Sequence, residues 1–206
     1  MTKTANLLHD KSTVAAFAER YFDRLRELFG RIEREEIAAF VQVLLDARAR
    51  GSRVFFIGNG GSAATASHFA NDLAIGTRTW ARPFRVASLT DNVAILTAIA
   101  NDYGYGELFT AQLKAYMEPN DVVVAISASG QSPNVVGAIR WANENGAVTV
   151  GLTGFDGGQL RALAQVSLHV PTSAGEYGPV EDLHMIFDHL VGTYLQAVCA
   201  SEETTR

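Results

Sequence analysis

The chain has 206 residues, with 17 Lys and Arg against 22 Asp and Glu, a formal net charge of -5. At ~100–200 residues per domain, this length specifies one domain, or one with a helical extension, and 48% apolar residues suffice for a core. The mild acidity, without a Lys/Arg cluster, argues against a nucleic-acid grip, which needs several phosphate-neutralising cations on one surface. The single cysteine, Cys199, excludes a disulfide framework within the chain. The opening MTKTANLLHDKSTVAAF lacks a basic start leading into an apolar stretch, and no apolar run approaches the ~20 residues of a spanning helix. The expectation is a soluble, cytoplasmic protein with no membrane or nucleic-acid partner.

From 13 to 50 the apolar residues Phe17, Tyr21, Leu25, Leu28, Ile32, Ile37, Phe40, Val43 and Leu44 recur at three- and four-residue steps with charges between them. This pattern gives two amphipathic helices parted by Gly30. Such a pair cannot bury both apolar faces alone, so residues 1–50 are expected to be a helical extension docked on the domain or on a neighbouring subunit.

After Gly51 the period changes. Short apolar runs occur at 53–58, 84–89, 121–127, 147–153 and 166–170, and helical segments at 62–73, 91–98, 134–144 and 158–165 alternate with them; a last helix covers 180–200. Strands apolar on both faces and alternating with helices specify a parallel sheet covered on both sides. With right-handed crossovers this is an α/β, flavodoxin-like doubly wound five-stranded sheet, in one domain spanning 1–206.

Ligands of such sheets bind beyond the carboxyl ends of the strands. The first strand runs into Gly58, Asn59, Gly60, Gly61 and Ser62 and then a helix. Glycines there let successive N–H groups point outward, and the helix start adds partial positive charge, so Asn59, Gly60, Gly61 and Ser62 are candidate anion binders. The third strand runs into SASGQSPN, where Ser127, Ser129 and Ser132 supply hydroxyl donors without a fixed cation. No GK[ST] follows either loop, and neither is a GxGxxG with a closing acidic residue, so nucleotides are disfavoured and a sugar phosphate remains. Asp102 and Asp91 are candidates either for sugar hydroxyls or for helix capping, with Asp102 preferred for substrate. Thr90 could help orient an open-chain sugar; His9 and His169 read as uninvolved.

His68 and Asp72, four residues apart, share a helical face. The segment VEDLHMIFDHL carries Glu181, Asp182, His184, Asp188 and His189 on another helix. Two such helices meeting over a phosphosugar pocket would supply either acid/base groups or a divalent-metal site.

GNGGSAATASHFANDL, SASGQSPNV, NDYGYGELF and LTGFDGG, in this order and spacing, together resemble the sugar isomerase (SIS) domain, in its phosphoheptose isomerase branch, over nearly the whole chain. The resemblance implies an aldose-ketose isomerase converting sedoheptulose 7-phosphate to a heptose 7-phosphate for a surface polysaccharide such as lipopolysaccharide or capsule. It implies Asp72 as the base and His189 as the acid/base partner, zinc held by His68, Asp72, Glu181 and His189, and a homotetramer. The family usually has Glu at Asp72, Gln at Glu181 and Thr or Ser at Ala128. These departures keep open a non-catalytic adaptor similar to replication-initiator-associating proteins, a phosphosugar sensor, or an isomerase of another phosphosugar.

Overall fold

The computed structural model describes residues 12–204; His9 and the start of the expected extension lie outside the described residues. Helices α1 (Val14–Phe29) and α2 (Arg34–Arg50) come first. Thr13 caps α1 by accepting the Ala16 N–H, and Gly30 closes it. The chain then alternates: β1 (Arg53–Gly58), α3 (Gly61–Asn71), β2 (Arg85–Ser88), α4 (Val93–Asp102), α5 (Thr110–Tyr116), β3 (Val122–Ser127), α6 (Pro133–Glu144), β4 (Val148–Thr153), α7 (Gly158–Leu163), β5 (Val166–His169) and α8 (Tyr177–Thr204).

All five strands pair in parallel, in the order β2-β1-β3-β4-β5. This is the flavodoxin-like order expected from the apolar runs. Alternation along each strand splits the core in two. Val54, Phe56, Val124 and Leu152 face Phe40, Leu44, Phe69, Leu183 and Phe187 of α2, α3 and α8. Phe55, Ile57, Val123 and Ala125 face Leu113, Val135, Ile139 and Leu160 of α5, α6 and α7. The extension packs within the chain: α2 lies along the edge strand β5 and against α8, and α1 rests on α8. No helix among the described residues is long and apolar enough to cross a membrane.

The elements depart from the sequence reading where helix signals are weak or extended. The helix begun as α3 ends at Asn71 and widens into a π turn over Asp72–Gly76. The fourth helix runs four residues past the expected 98, to Asp102. A 3₁₀ turn at Tyr105–Glu107 and the seven-residue α5 fill a stretch to which the sequence assigned no element. The last helix begins three residues before the expected 180 and runs past 200.

Candidate active site

Because β1 is flanked by β2 on one side and β3 on the other, the chain leaves β1 and β3 toward opposite faces of the sheet. Between their carboxyl ends lies the crevice in which doubly wound sheets bind ligands. The loops after β1 and β3 both open here. Gly58 admits no side chain, since a Cβ there would meet the Ser62 backbone at 2.7 Å. Gly60 turns the chain into α3 at φ 54 and ψ -122, and no side chain caps that helix start. Helix α6 likewise starts at Ser132 and Pro133 without a side-chain cap. Two helix N-termini therefore present donors and partial positive charge to one crevice.

A cavity of about 170 Å³ fills the crevice, lined by Asn59, Ser62, Ser127, Ala128, Ser129, Ser132, Tyr177 and Glu181. Ser127 and Ser132 hydroxyls lie 3.4 Å apart, and Ser127 Oγ accepts the Gly130 N–H at 3.2 Å. That bond leaves the Ser127 proton to donate elsewhere. Asn59 joins the two loops through a reciprocal amide pair with Asn134, at 2.9 and 3.0 Å, and its Oδ1 also accepts the Tyr105 hydroxyl at 2.9 Å. Gly61 lies under the Glu181 carboxylate, whose Cδ would be 2.7 Å from a Cβ on that glycine. Burial, then the neighbouring Asp182, raises the Glu181 carboxyl above its usual range.

The ionisable residues gather elsewhere along the same helices. His68 Nε2 lies 3.6 Å from Asp72 Oδ1 and 3.8 Å from Asp188 Oδ2. The rings of His68 and His189 meet edge to face at 5.0 Å. One ligating atom from each of His68, Asp72, Asp188 and His189 lies within 4.8 Å of all the others, a group that could hold a metal ion. Two imidazoles and two carboxylates suit a divalent cation of the zinc type. Asp188 is fully buried, yet neither of its oxygens has a hydrogen-bond partner. Burial and the nearby Asp72 carboxylate push it up to about 7. Gly192 of α8 leaves room for Asp72, its Cβ position lying 3.6 Å from Asp72 Cβ.

The structure thus brings Asn59, Ser62, Ser127, Ser129, Ser132 and Glu181 to one cavity, and His68, Asp72 and His189 to a cluster two helical turns away. Glu181, grouped at sequence level with the cluster, stands in the cavity, and Asp188 completes the cluster. Asp102 ends α4, exposed, with its Oδ1 accepting from the Asn101 amide at 2.8 Å. A second cavity of about 320 Å³ beside the β1 loop is lined by Thr90, Thr97, Tyr105 and Phe109, among others; Asp102 is not in its wall. Thr90 Oγ1 is engaged with Ser88 at 2.6 Å and Ser67 at 3.0 Å. Tyr177 lines the serine cavity, whereas Glu176 beside it is buried against Arg24. The sequence did carry a signal for Asp188. It falls on the stripe of Val180, His184, Phe187, Val191 and Leu195, all buried, where an unexplained carboxylate calls for a partner.

A doubly wound sheet whose switch-point crevice joins two open helix starts and a serine loop, with a His/Asp cluster along the same helices, describes an α/β protein whose crevice offers donors suited to an anion beside groups suited to acid/base chemistry or to a metal ion. Residues 20–154 match the SIS domain family. The phosphoheptose isomerase of Geobacter metallireducens is 40% identical over 169 residues, 81% of this chain and 88% of that protein. That of Paramagnetospirillum magneticum is 37% identical over 83% of this chain and 88% of its own. The solved phosphoheptose isomerase GmhA from Neisseria gonorrhoeae superposes with a TM-score of 0.80 at 30% identity, covering 89% of this chain and 97% of that one. The chain belongs to the SIS domain family.

Proposed function

We propose that the protein is a phosphoheptose isomerase that converts sedoheptulose 7-phosphate to the aldose D-glycero-manno-heptose 7-phosphate. The observation that carries this reading is the placement of two histidines and two aspartates about two helical turns, ~10 Å, from a serine-lined anion cavity. That separation is the scale of an extended seven-carbon sugar from its carbonyl to its phosphate. The relatives named phosphoheptose isomerase support the same substrate class.

In this reading the serine loop and the starts of α3 and α6 hold the phosphate, so that binding energy far from the reacting carbons positions them. Asp72 takes a proton from C1 of the ketose while the C2 oxygen gains one, giving the enediol. His189 moves protons between the oxygens: O1 loses its proton as C2 regains one, and the aldehyde forms at C1. His68, Asp72 and His189 would hold a divalent cation, zinc by their chemistry. When bound, the cation supplies Lewis-acid polarisation of the sugar carbonyl.

We also read the protein as a cytoplasmic homotetramer of a single domain. Exposed Phe22 and Phe29 on α1, with Leu190 and Tyr194 on α8, supply apolar surface for subunit contacts. Sedimentation showing only monomers at working concentration would count against that assembly.

The test of function is to incubate the protein with sedoheptulose 7-phosphate, with and without added zinc, and to follow aldose product by NMR. Product that disappears with His189→Ala supports the isomerase. Saturable binding without product would overturn it in favour of a sensor or adaptor on the same fold.

A further inference from the structure

Within one chain, α3 and α8 run side by side in matched register. Gly61 at the start of α3 lies under Glu181 near the start of α8. Seven residues further along both helices, His68 lies 3.8 Å from Asp188. Glu181 and Asp188 therefore occupy equivalent places on one face of α8, about 10 Å apart along its axis. A glutamate side chain does not bridge that distance. Glu181 is committed to the serine cavity, and Asp188 to the cluster.

We infer that Asp188, and not Glu181 of the same chain, is the fourth protein ligand of the divalent-cation site formed by His68, Asp72 and His189. Three observations carry this. Asp188 contributes an oxygen within 4.8 Å of the ligating atoms of all three partners. It is completely buried. Both of its oxygens lack hydrogen-bond partners, and Oδ2 lies 3.8 Å from His68 Nε2 in the cluster. A carboxylate removed from water without donors is strongly unfavourable unless it is paired or binds metal. Three ligands fixed by the helix pair and one supplied by a fully enclosed carboxylate give a set anchored on two rigid elements, which suits a cation that demands a fixed geometry. Glu181 is thereby left to shape the phosphate end of the cavity.

The inference rests on the cation reading above, and its test separates the two. Metal-free protein is titrated with zinc against a chromophoric chelator, and its melting temperature is read with and without zinc, for the wild type, Asp188→Asn and Glu181→Ala, the last removing every donor atom at that position. The wild type is expected to bind one zinc per chain and to gain thermal stability from it. Asp188→Asn should lose affinity by more than the roughly tenfold to hundredfold that removing an outer partner costs, and should lose the zinc-induced shift. Its metal-free melting temperature should hold or rise, because an unpaired buried charge is gone. Glu181→Ala should bind zinc as the wild type does. Wild-type affinity in Asp188→Asn, or loss of affinity in Glu181→Ala instead, overturns the inference and leaves the cation reading standing. A wild type that binds no zinc overturns both, while turnover without metal would leave the isomerase reading intact. Should Asp188→Asn fail to fold, anomalous diffraction from zinc-soaked wild-type crystals decides: the Asp188 carboxylate either contacts the ion, as inferred, or is turned away from it, which refutes the assignment.

Discussion

The Glu181 carboxylate fills the space directly above Gly61, at the start of α3 and within the cavity lined by Ser127, Ser129 and Ser132. A negative group at the place where a phosphate is to bind opposes that binding. Between bulk water and a protein surface, two unit like charges ~4 Å apart repel by about 1–4 kcal/mol, so Glu181→Gln should lower KM for the phosphosugar by at least roughly fivefold. Burial and Asp182 raise the Glu181 carboxyl, so the wild type sheds this charge more readily than an ordinary glutamate as pH falls, and the advantage of Gln should shrink toward acid pH. Gly61→Ala pushes the carboxylate into the cavity and should raise KM with little change in stability, because the obstacle is the end of a flexible side chain. A higher KM in Glu181→Gln would show that the carboxylate assists binding and refute this account.

Asp72 carries the proposed proton abstraction, and the space around it sets what can replace it. Asp72→Asn keeps the shape but cannot accept the proton, so kcat should fall at least ~10²–10⁴-fold while phosphosugar binding, read by thermal shift, is retained. Asp72→Glu is a sharper probe. The glycines at 76 and 192 leave space beside this side chain, each Cβ position standing 3.6 Å or more from it, so the longer carboxylate fits, and turnover should persist within about a hundredfold, the cost of an ångström of misplacement. Full activity in Asp72→Asn would remove Asp72 from the chemistry.

The sheet was legible because the central strands β1 and β3 are runs of Val, Ile, Ala and Phe with no polar face, which only a doubly covered parallel sheet tolerates. Gly58 and Gly60 were legible as a tight turn because no other residue meets their steric demands. Asp188 was visible as one of five ionisable residues near the C-terminus, but its partnership was not. Helical spacing places Glu181 and Asp188 on the same face without saying which part of α3 each one meets, and that follows only from the parallel register of the two helices. Asp102 was preferred for sugar hydroxyls over helix capping; the turn that α4 adds beyond 98 places it at the end of that helix. The helix α5 escaped because seven residues hold too few turns for a period to show.

Arg24 of α1 grips Glu176, just before α8, through two 2.9 Å hydrogen bonds, and both residues are buried. Burial alone would raise the Glu176 carboxyl, but the Arg24 bonds, the Ser173 N–H at 2.6 Å and the Arg24 charge together hold it below 4.5. Removing one partner of a buried pair strands the other, so Arg24→Ala should lose about 3–5 kcal/mol in urea unfolding, and Arg24→Leu with Glu176→Leu should recover much of that loss. A group with a depressed folded pKa stabilises above its unfolded value and loses that contribution as pH falls through the folded one. The deficit of Arg24→Ala should therefore be full at pH 7 and shrink below pH 4.5. A deficit that is small at pH 7 would mean that α1 is not held through this pair.

His184 and His169 meet at Thr153, the last residue of β4. His184 Nε2 lies 3.3 Å from the Thr153 carbonyl, and His169 Nδ1 lies 3.0 Å from its hydroxyl. Burial lowers both to about 4: in His184 it outweighs the opposing Thr153 carbonyl, and in His169 it acts with the charge of Arg161. Both stay neutral in the fold at pH values where the unfolded chain, with His near 6.5, takes up protons. The unfolded state thus binds more protons, and stability must fall as pH drops from 6.5 toward 4. For His184, fully enclosed, the loss approaches about 3 kcal/mol at pH 4. His184→Gln removes one of the two titrations. Its unfolding free energy, measured by urea between pH 7 and 4, should fall less steeply than that of the wild type, and the two curves should converge toward the acid end. Parallel curves would mean that His184 is protonated within the fold, which its enclosure against a single carbonyl does not allow.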